Sequence, residues 1–176
     1  MSRELTHFSY MVLGLVGRGG LSPYDLHQMV RRGRIYDWVG ESQYYVEPKR
    51  LARLGYLDAR KEQGKTRERT VYTLTEKGLE ALRAWAGTPV RYPRIEHEPL
   101  TRLLVADLVG EGPVRESLGS LREDIADLSA RLDEAETAAE RLPHRRKYLL
   151  ATHRLSRRLL DAHLEWLDEV ERELES

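Results

Sequence analysis

The 176-residue chain predicts a mainly α protein in two parts. The N-terminal part reads as a winged helix-turn-helix with a two-stranded wing, the C-terminal part as long coiled-coil-like helices. Three observations predict this. Three segments of helical period with glycine stops are followed by two alternating β-prone stretches and a fourth helix. From about Pro113 onward apolar residues recur at alternating spacings of four and three, the period of a coiled coil. The charge also divides: residues 1–90 carry 15 Lys and Arg against 10 Asp and Glu, and residues 91–176 carry 14 against 19, so a neutral chain has a basic half and an acidic half.

The elements follow in order. Phe8, Met11, Val12, Leu15 and Val16 share one helical face, with Thr6 as N-cap and Gly17, Gly19 and Gly20 as the stop. Ser22-Pro23 restarts the chain as N-cap and first helical residue, and a second helix over about 23–33 presents Leu26, Met29 and Val30. A third helix is expected to start after Ser42 and run to Leu54, ended by Gly55. Pro48 lies inside it and removes one backbone donor, so the expectation is a kink there or a later start. After Gly55 the period changes to that of strands, over 56–60 and 69–74, with 63–67 as the hairpin tip. Thr75 then caps a fourth helix to about Ala86, with Leu79, Leu82 and Trp85 on one face. Two prolines and a glycine in 87–93 read as a linker. The boundaries expected are a first domain over 1–88, a linker and connecting helix over 89–112, and a helical domain over 113–176.

In the second half, Val114, Leu118, Leu121, Ile125, Leu128, Leu132, Ala135, Ala139 and Leu142 form a heptad seam that Pro143 stops. A further helix from about His144 to Leu174 carries Leu149, His153, Leu160, His163, Leu167, Val170 and Leu174 at the same period, widened by Leu159 and Trp166. Two copies of such an arm would bury each other's seams. The dimer interface expected is Leu118, Leu121, Ile125, Leu128, Leu132, Leu160, Leu167, Val170 and Leu174. An intramolecular helical hairpin is the alternative.

Several function classes are excluded or unsupported. There is no Cys, hence no disulfide, thiolate zinc site, iron–sulfur cluster or cysteine nucleophile. No nucleophile elbow, phosphate-binding glycine loop or metal motif is present. His153 and His163 are about 15 Å apart along a helix, too far to share one metal. His97 with Glu96 and Glu98 reads as a polar linker patch. The chain is expected to be no enzyme and to need no cofactor or metal. No apolar run reaches the roughly 18–20 residues of a membrane span, and the first 20 residues lack the pattern of a signal peptide. A cytoplasmic protein without a membrane partner is the expectation.

Four stretches carry a resemblance: Leu13-Gly14-Leu15; Leu21-Ser22-Pro23-Tyr24-Asp25-Leu26; Lys49-Arg50-Leu51 with Gly55-Tyr56-Leu57; and Tyr72-Thr73-Leu74-Thr75-Glu76-Lys77-Gly78. Together they resemble the PadR family of transcriptional regulators, the last stretch most specifically. The second half is similar to the virulence-activator-type helical domain that follows the winged helix in one PadR subfamily, through Leu164-Glu165-Trp166-Leu167 near its end. The resemblance implies a homodimer that binds a palindromic operator in double-stranded DNA, most often as a repressor. It also implies release of DNA by small planar aromatic ligands.

On that reading the third helix enters the major groove while Lys and Arg hold the phosphates. The DNA-contact candidates are Tyr24, Ser42, Gln43, Tyr44, Tyr45, Lys49, Arg50 and Arg53, with Lys65, Arg67 and Arg69 on the wing. Gln43 and Tyr44, near the helix start, are expected at base edges. Trp85, Tyr92, Tyr148 and Trp166 are candidates for an aromatic effector pocket. Two other readings stay open. A coiled-coil interaction protein whose winged helix binds protein would ignore Lys49 and Arg67 changes. An architectural binder would take unrelated duplexes equally well.

Overall fold

Thr6 opens the first helix as its spacing predicts. Its side chain accepts the Ser9 N–H, and the Ser9 hydroxyl accepts the Thr6 N–H, a reciprocal cap. The structure, a computed structural model, describes residues 5–32, 39–64 and 68–175. Among these residues the order is α1 His7–Val16, α2 Pro23–Arg32, α3 Gln43–Arg53, β1 Leu57–Gln63, β2 Glu68–Leu74 and α4 Glu76–Ala86, then α5 Glu98–Leu104, α6 Ala106–Val109, α7 Glu111–Ala139 and α8 Arg146–Leu174. The chain forms two units that divide between Arg91 and Tyr92. Two short helices, α5 and α6, lie within the stretch read as linker and connecting helix.

In the first unit, α1, α2 and α3 turn their apolar faces inward. Phe8, Val12, Leu13, Val16, Leu26, Val30, Tyr44 and Leu51 form one core with Tyr56, Leu57 and Tyr72 of the wing base. Each fully buried leucine here contributes about 1.5–3 kcal/mol by leaving water. The wing is an antiparallel hairpin in the register Leu57↔Leu74 to Gln63↔Glu68. Leu21 adds a bridge that the sequence pattern did not announce: its N–H and C=O both bond Tyr72, at 3.0 Å. Gly20 makes that approach feasible. Its φ is +79°, and a Cβ there would meet Thr73 Cγ2 at 2.8 Å.

The Thr75-Glu76-Lys77-Gly78 stretch welds α4 to the end of α3. Thr75 Oγ1 accepts the Gly78 N–H at 3.0 Å and lies within hydrogen-bond reach of the Gly55 and Tyr56 carbonyls, at 2.8 and 3.0 Å. Lys77 Nζ donates to the Leu54 carbonyl at 2.6 Å and stands 4.3 Å over the Tyr56 ring. Gly78 packs on the Tyr56 backbone, where any side chain would collide.

Pro48 neither delays nor ends α3. The helix starts at Gln43 and runs through Pro48 to Arg53. Its entry turn is tightened by bonds from Gln43 to Gly40, Tyr44 to Glu41 and Tyr45 to Ser42. Pro48 itself is fully buried, so its ring packs where its missing donor would have served the helix.

In the second unit α7 and α8 form an antiparallel hairpin. Arg122 pairs with Asp168 and Glu171, and Arg157 with Asp133 and Glu136. Val114, Leu118, Ile125, Leu132, Leu160, Leu167 and Val170 are buried together with Ala106 of α6. Ser156, which fills the vacant heptad position between His153 and Leu160, is buried too.

Candidate nucleic-acid interface

The two faces of α3 differ in chemistry. Tyr44, Glu47, Pro48 and Leu51 point into the core. Ser42, Gln43, Val46, Lys49 and Arg53 are exposed. The exposed set recurs every three or four residues and therefore forms one stripe along the helix. Two of its members are cations.

Tyr44 corrects the expectation placed on it. It is fully buried, edge-on to Phe8 at 5.3 Å between ring centroids and against His27 at 5.2 Å. It supports the helix from behind and reaches no groove. Tyr45 is half-buried beside His27. Val46, an apolar residue outside the polar contact candidates, occupies the outward position next to Gln43 and is 53% exposed. The three-residue step from Gln43 was the signal that could have found it.

Arg50 is also committed inside the protein. It donates twice to Glu47, at 2.7 and 2.8 Å, and to Ser9 Oγ at 3.2 Å. Ser9, fully buried on α1, donates to Glu47 Oε1 at 2.7 Å. This clamp ties α3 to α1. Burial of Glu47 opposes its charge. The hydrogen bonds from Arg50 and Ser9, with the Arg50 charge, outweigh that and hold its pKa below the ordinary carboxylate value. Arg50 is thus a positioning group for α3 and not a surface cation.

On the wing, Lys65 and Arg67 lie outside the described residues. Arg69 is engaged by Asp25 of α2 at 3.2 Å and by Glu62 across the hairpin at 3.9 Å, so its charge is largely met from within. Arg60 and Lys61 of β1 are exposed, and Lys61 pairs with Glu68 at 2.8 Å. Tyr24, the second residue of α2, is 60% exposed. The surface that remains is an α3 stripe with an amide, an apolar contact and two cations, suited to base edges and phosphates.

Of the aromatic pocket candidates, Tyr148 and Trp166 do not meet within the second unit. Trp85 belongs to the first unit and stacks on Tyr10 at 4.8 Å with an 8° interplanar angle. Tyr148 and Trp166 both lie on α8, eighteen positions apart, about 27 Å along the axis. No small ligand spans that. Tyr148 and Tyr92 are exposed, and Trp166 stands edge-on to His97 at 5.8 Å. The second unit instead carries an open groove of about 440 Å³ between α5 and α7, whose lining includes Glu98, Arg102, Ser117 and Asp124.

The dimer candidates also divide. Leu118, Ile125, Leu132, Leu160, Leu167 and Val170 are already buried within this chain's own hairpin. That corrects the reading of them as an intermolecular surface: their apolar area is consumed by the neighbouring helix. Leu121, Leu128 and Leu174 keep partial exposure. Among the described residues no group of three metal-donor side chains is present, and no helix is long and apolar enough to cross a membrane.

No family model matches the chain. The negative transcriptional regulator PadR of Bacillus subtilis is 33% identical over 93 residues, 52% of this chain and 47% of that protein, so the match spans about half of the relative's length. In fold, the chain is similar to Bacillus subtilis PadR solved in complex with operator DNA, with a TM-score of 0.69 and 21% identity over 97% of both chains. The same Bacillus protein, solved with p-coumaric acid, matches with a TM-score of 0.66 and 22% identity over 96% of this chain and 99% of that one. The Vibrio cholerae virulence activator AphA matches with 0.69 and 22% identity over 95% and 97%. At these identities the likeness carries the fold. The winged helix and the long C-terminal helices of the chain therefore agree with the fold class its sequence predicts.

Proposed function

We propose that this PadR-like chain is a sequence-specific DNA-binding transcriptional regulator. It works as a homodimer in the cytoplasm, represses the genes it binds and has no enzymatic step. The observation that carries the reading is the sorting of α3. Gln43, Val46, Lys49 and Arg53 face solvent along one stripe while Tyr44, Glu47, Pro48 and Leu51 anchor the opposite face. A helix so exposed and so rigidly backed suits the major groove, its amide at a base edge and its cations on phosphates. Support comes from the fold shared with a PadR solved on operator DNA and from a relative described as a negative regulator.

A second copy suits the second unit. Leu121, Leu128 and Leu174 keep apolar surface uncovered, as do Tyr148 and Leu155 at 63% and 54% exposure. The first half of α8 holds Arg146, Lys147, Arg154, Arg157 and Arg158, and the second half Asp161, Glu165, Asp168, Glu169, Glu171 and Glu173 with one cation, Arg172. A two-fold axis that pairs α8 with its copy antiparallel sets basic half against acidic half twice. A small aromatic ligand is the proposed modulator, supported by the p-coumaric acid complex of the Bacillus protein. It would act by favouring a dimer geometry that no longer matches the half-sites.

The test is fluorescence anisotropy with a duplex from the chain's own upstream region and a scrambled duplex, across salt. Selective binding with a log–log salt slope of about −5 or steeper is expected of a dimer touching several phosphates. Equal binding of both duplexes, or none at low salt, refutes the reading.

A further inference from the structure

His97 and His163 stand 66 residues apart in sequence and meet in the second unit with Nε2 2.7 Å from Nε2. Their planes differ by 6° and their centroids are 4.9 Å apart. The centroid distance exceeds the nitrogen distance by about a ring's width. The rings therefore meet end to end in one plane, joined by a hydrogen bond, and do not stack face to face.

The outer nitrogens decide where the hydrogen sits. His97 Nδ1 accepts the Leu100 N–H at 3.2 Å as the N-cap of α5, so it carries a lone pair. His163 Nδ1 lies against the Leu159 carbonyl, so it carries a hydrogen. With both rings neutral one arrangement remains: His97 Nε2–H donates to His163 Nε2. Neither ring can take another proton without loss. A proton on His163 Nε2 sets two N–H groups against each other. A proton on His97 Nδ1 opposes the Leu100 N–H and destroys the cap.

We propose that the His97–His163 pair is an acid-sensitive latch, in which one added proton breaks the bond that ties the α5 N-cap to α8. The surroundings favour the neutral, closed form. Trp166 packs near-perpendicular against His97. Glu96 and Glu98 flank His97 in the chain, and Glu98 is paired with Arg102. From α7, Asp124 lines the groove that Glu98 and Arg102 share, and Arg122 is taken by Asp168 and Glu171 of α8. Asp161 and Glu165 are exposed two positions either side of His163. The charge that acts on His97 is thus that of its partner ring. Burial first, and His163 second, hold the His97 pKa below the ordinary imidazole value. A shared metal ion is disfavoured by the same hydrogen inventory. It would need lone pairs on both Nε2 atoms, and hence a His97 Nδ1–H where the Leu100 N–H already points.

The sign follows from linkage. A histidine held neutral by the fold takes up a proton on unfolding, so its stabilisation is complete above about pH 6.5 and is lost as pH falls below that value. Histidine-selective ¹⁵N NMR on the full chain tests the latch. Near neutral pH, His163 is expected in the Nδ1–H form and His97 in the Nε2–H form; His163 in the Nε2–H form overturns the proposal. On acidification His97 should lose its signature with a midpoint below about 6.5. A midpoint at or above that value also overturns it. In melting experiments from about pH 7.5 to about pH 5 the wild-type chain should lose more melting temperature than His97→Asn, which keeps a capping oxygen, or His163→Phe. Equal losses overturn the latch. Zn²⁺ added near neutral pH should leave both ring signals in place; shifts confined to these two rings would make the pair a metal site instead. None of these readouts uses DNA, so the latch and the regulatory role fail separately.

Discussion

Gly78→Ala should destabilise the first unit even though alanine is the better helix former. A Cβ at Gly78 would sit 2.3 Å from the Tyr56 carbonyl oxygen and 2.7 Å from Leu74 Cδ1. The oxygen is backbone at the α3–β1 turn and cannot rotate away. Ordinary contact begins near 3.4 Å, so the first turn of α4 must retreat by about 1 Å. That retreat pulls on the Thr75 N–H bond to Tyr56 O at 3.2 Å and on the Thr75 hydroxyl bonds to Gly55 O and Tyr56 O. Losing two such bonds costs about 1–3 kcal/mol, and residual overpacking costs a similar amount. The helix-propensity gain of Gly→Ala returns about 1 kcal/mol. The expected net loss is about 1–5 kcal/mol, read as a lower urea midpoint at unchanged slope in far-ultraviolet circular dichroism. Gly14→Ala in α1 is the control, because nothing lies within 4 Å of its Cβ. It should be neutral or stabilising by up to about 1 kcal/mol. If Gly78→Ala is as stable as the wild type, the contact that explains the Thr-Glu-Lys-Gly stretch is not there.

Other predictions separate the roles of α3 and the long helices. Lys49→Ala and Arg53→Ala should each weaken binding to all duplexes and flatten the salt slope by about one unit, whereas Gln43→Ala should relax base preference, as anisotropy across salt would show. Glu47→Ala leaves the half-buried Arg50 guanidinium without its main partner and should cost about 1–3 kcal/mol by chemical denaturation, with the loss concentrated in the first unit. Because the Glu47 pKa is lowered in the fold, its contribution is complete above about pH 4.5 and lost as pH falls through the folded value; a wild-type minus Glu47→Gln stability difference that stays constant from neutral pH to about 3 would refute that. Leu128→Asp should abolish the dimer in sedimentation while leaving helicity intact, since Leu128 is only partly covered within the chain.

Local signals in the chain determined most of the fold. Thr6 and Thr75 mark helix starts because a side-chain oxygen satisfies nearby N–H groups, which needs no tertiary contact. The change from helical to alternating period at Gly55 announced the wing, and the heptads announced α7 and α8. Tertiary structure alone decided which side of each element does what. Tyr44 and Gln43 are adjacent and both polar-capable, yet one is core and the other faces solvent, because the face of α3 is chosen by Phe8 and His27 from elsewhere. Arg50 and Arg69 look like Lys49 and Arg53 in sequence, but Glu47 with Ser9, and Asp25 with Glu62, claim them across the fold. The seam residues read as intermolecular are filled by the chain's own α8, since a heptad repeat encodes a buried stripe without naming the helix that covers it. His97 and His163 look unrelated in sequence. Only folding brings their nitrogens together, because spatial neighbours 66 residues apart leave no periodic trace.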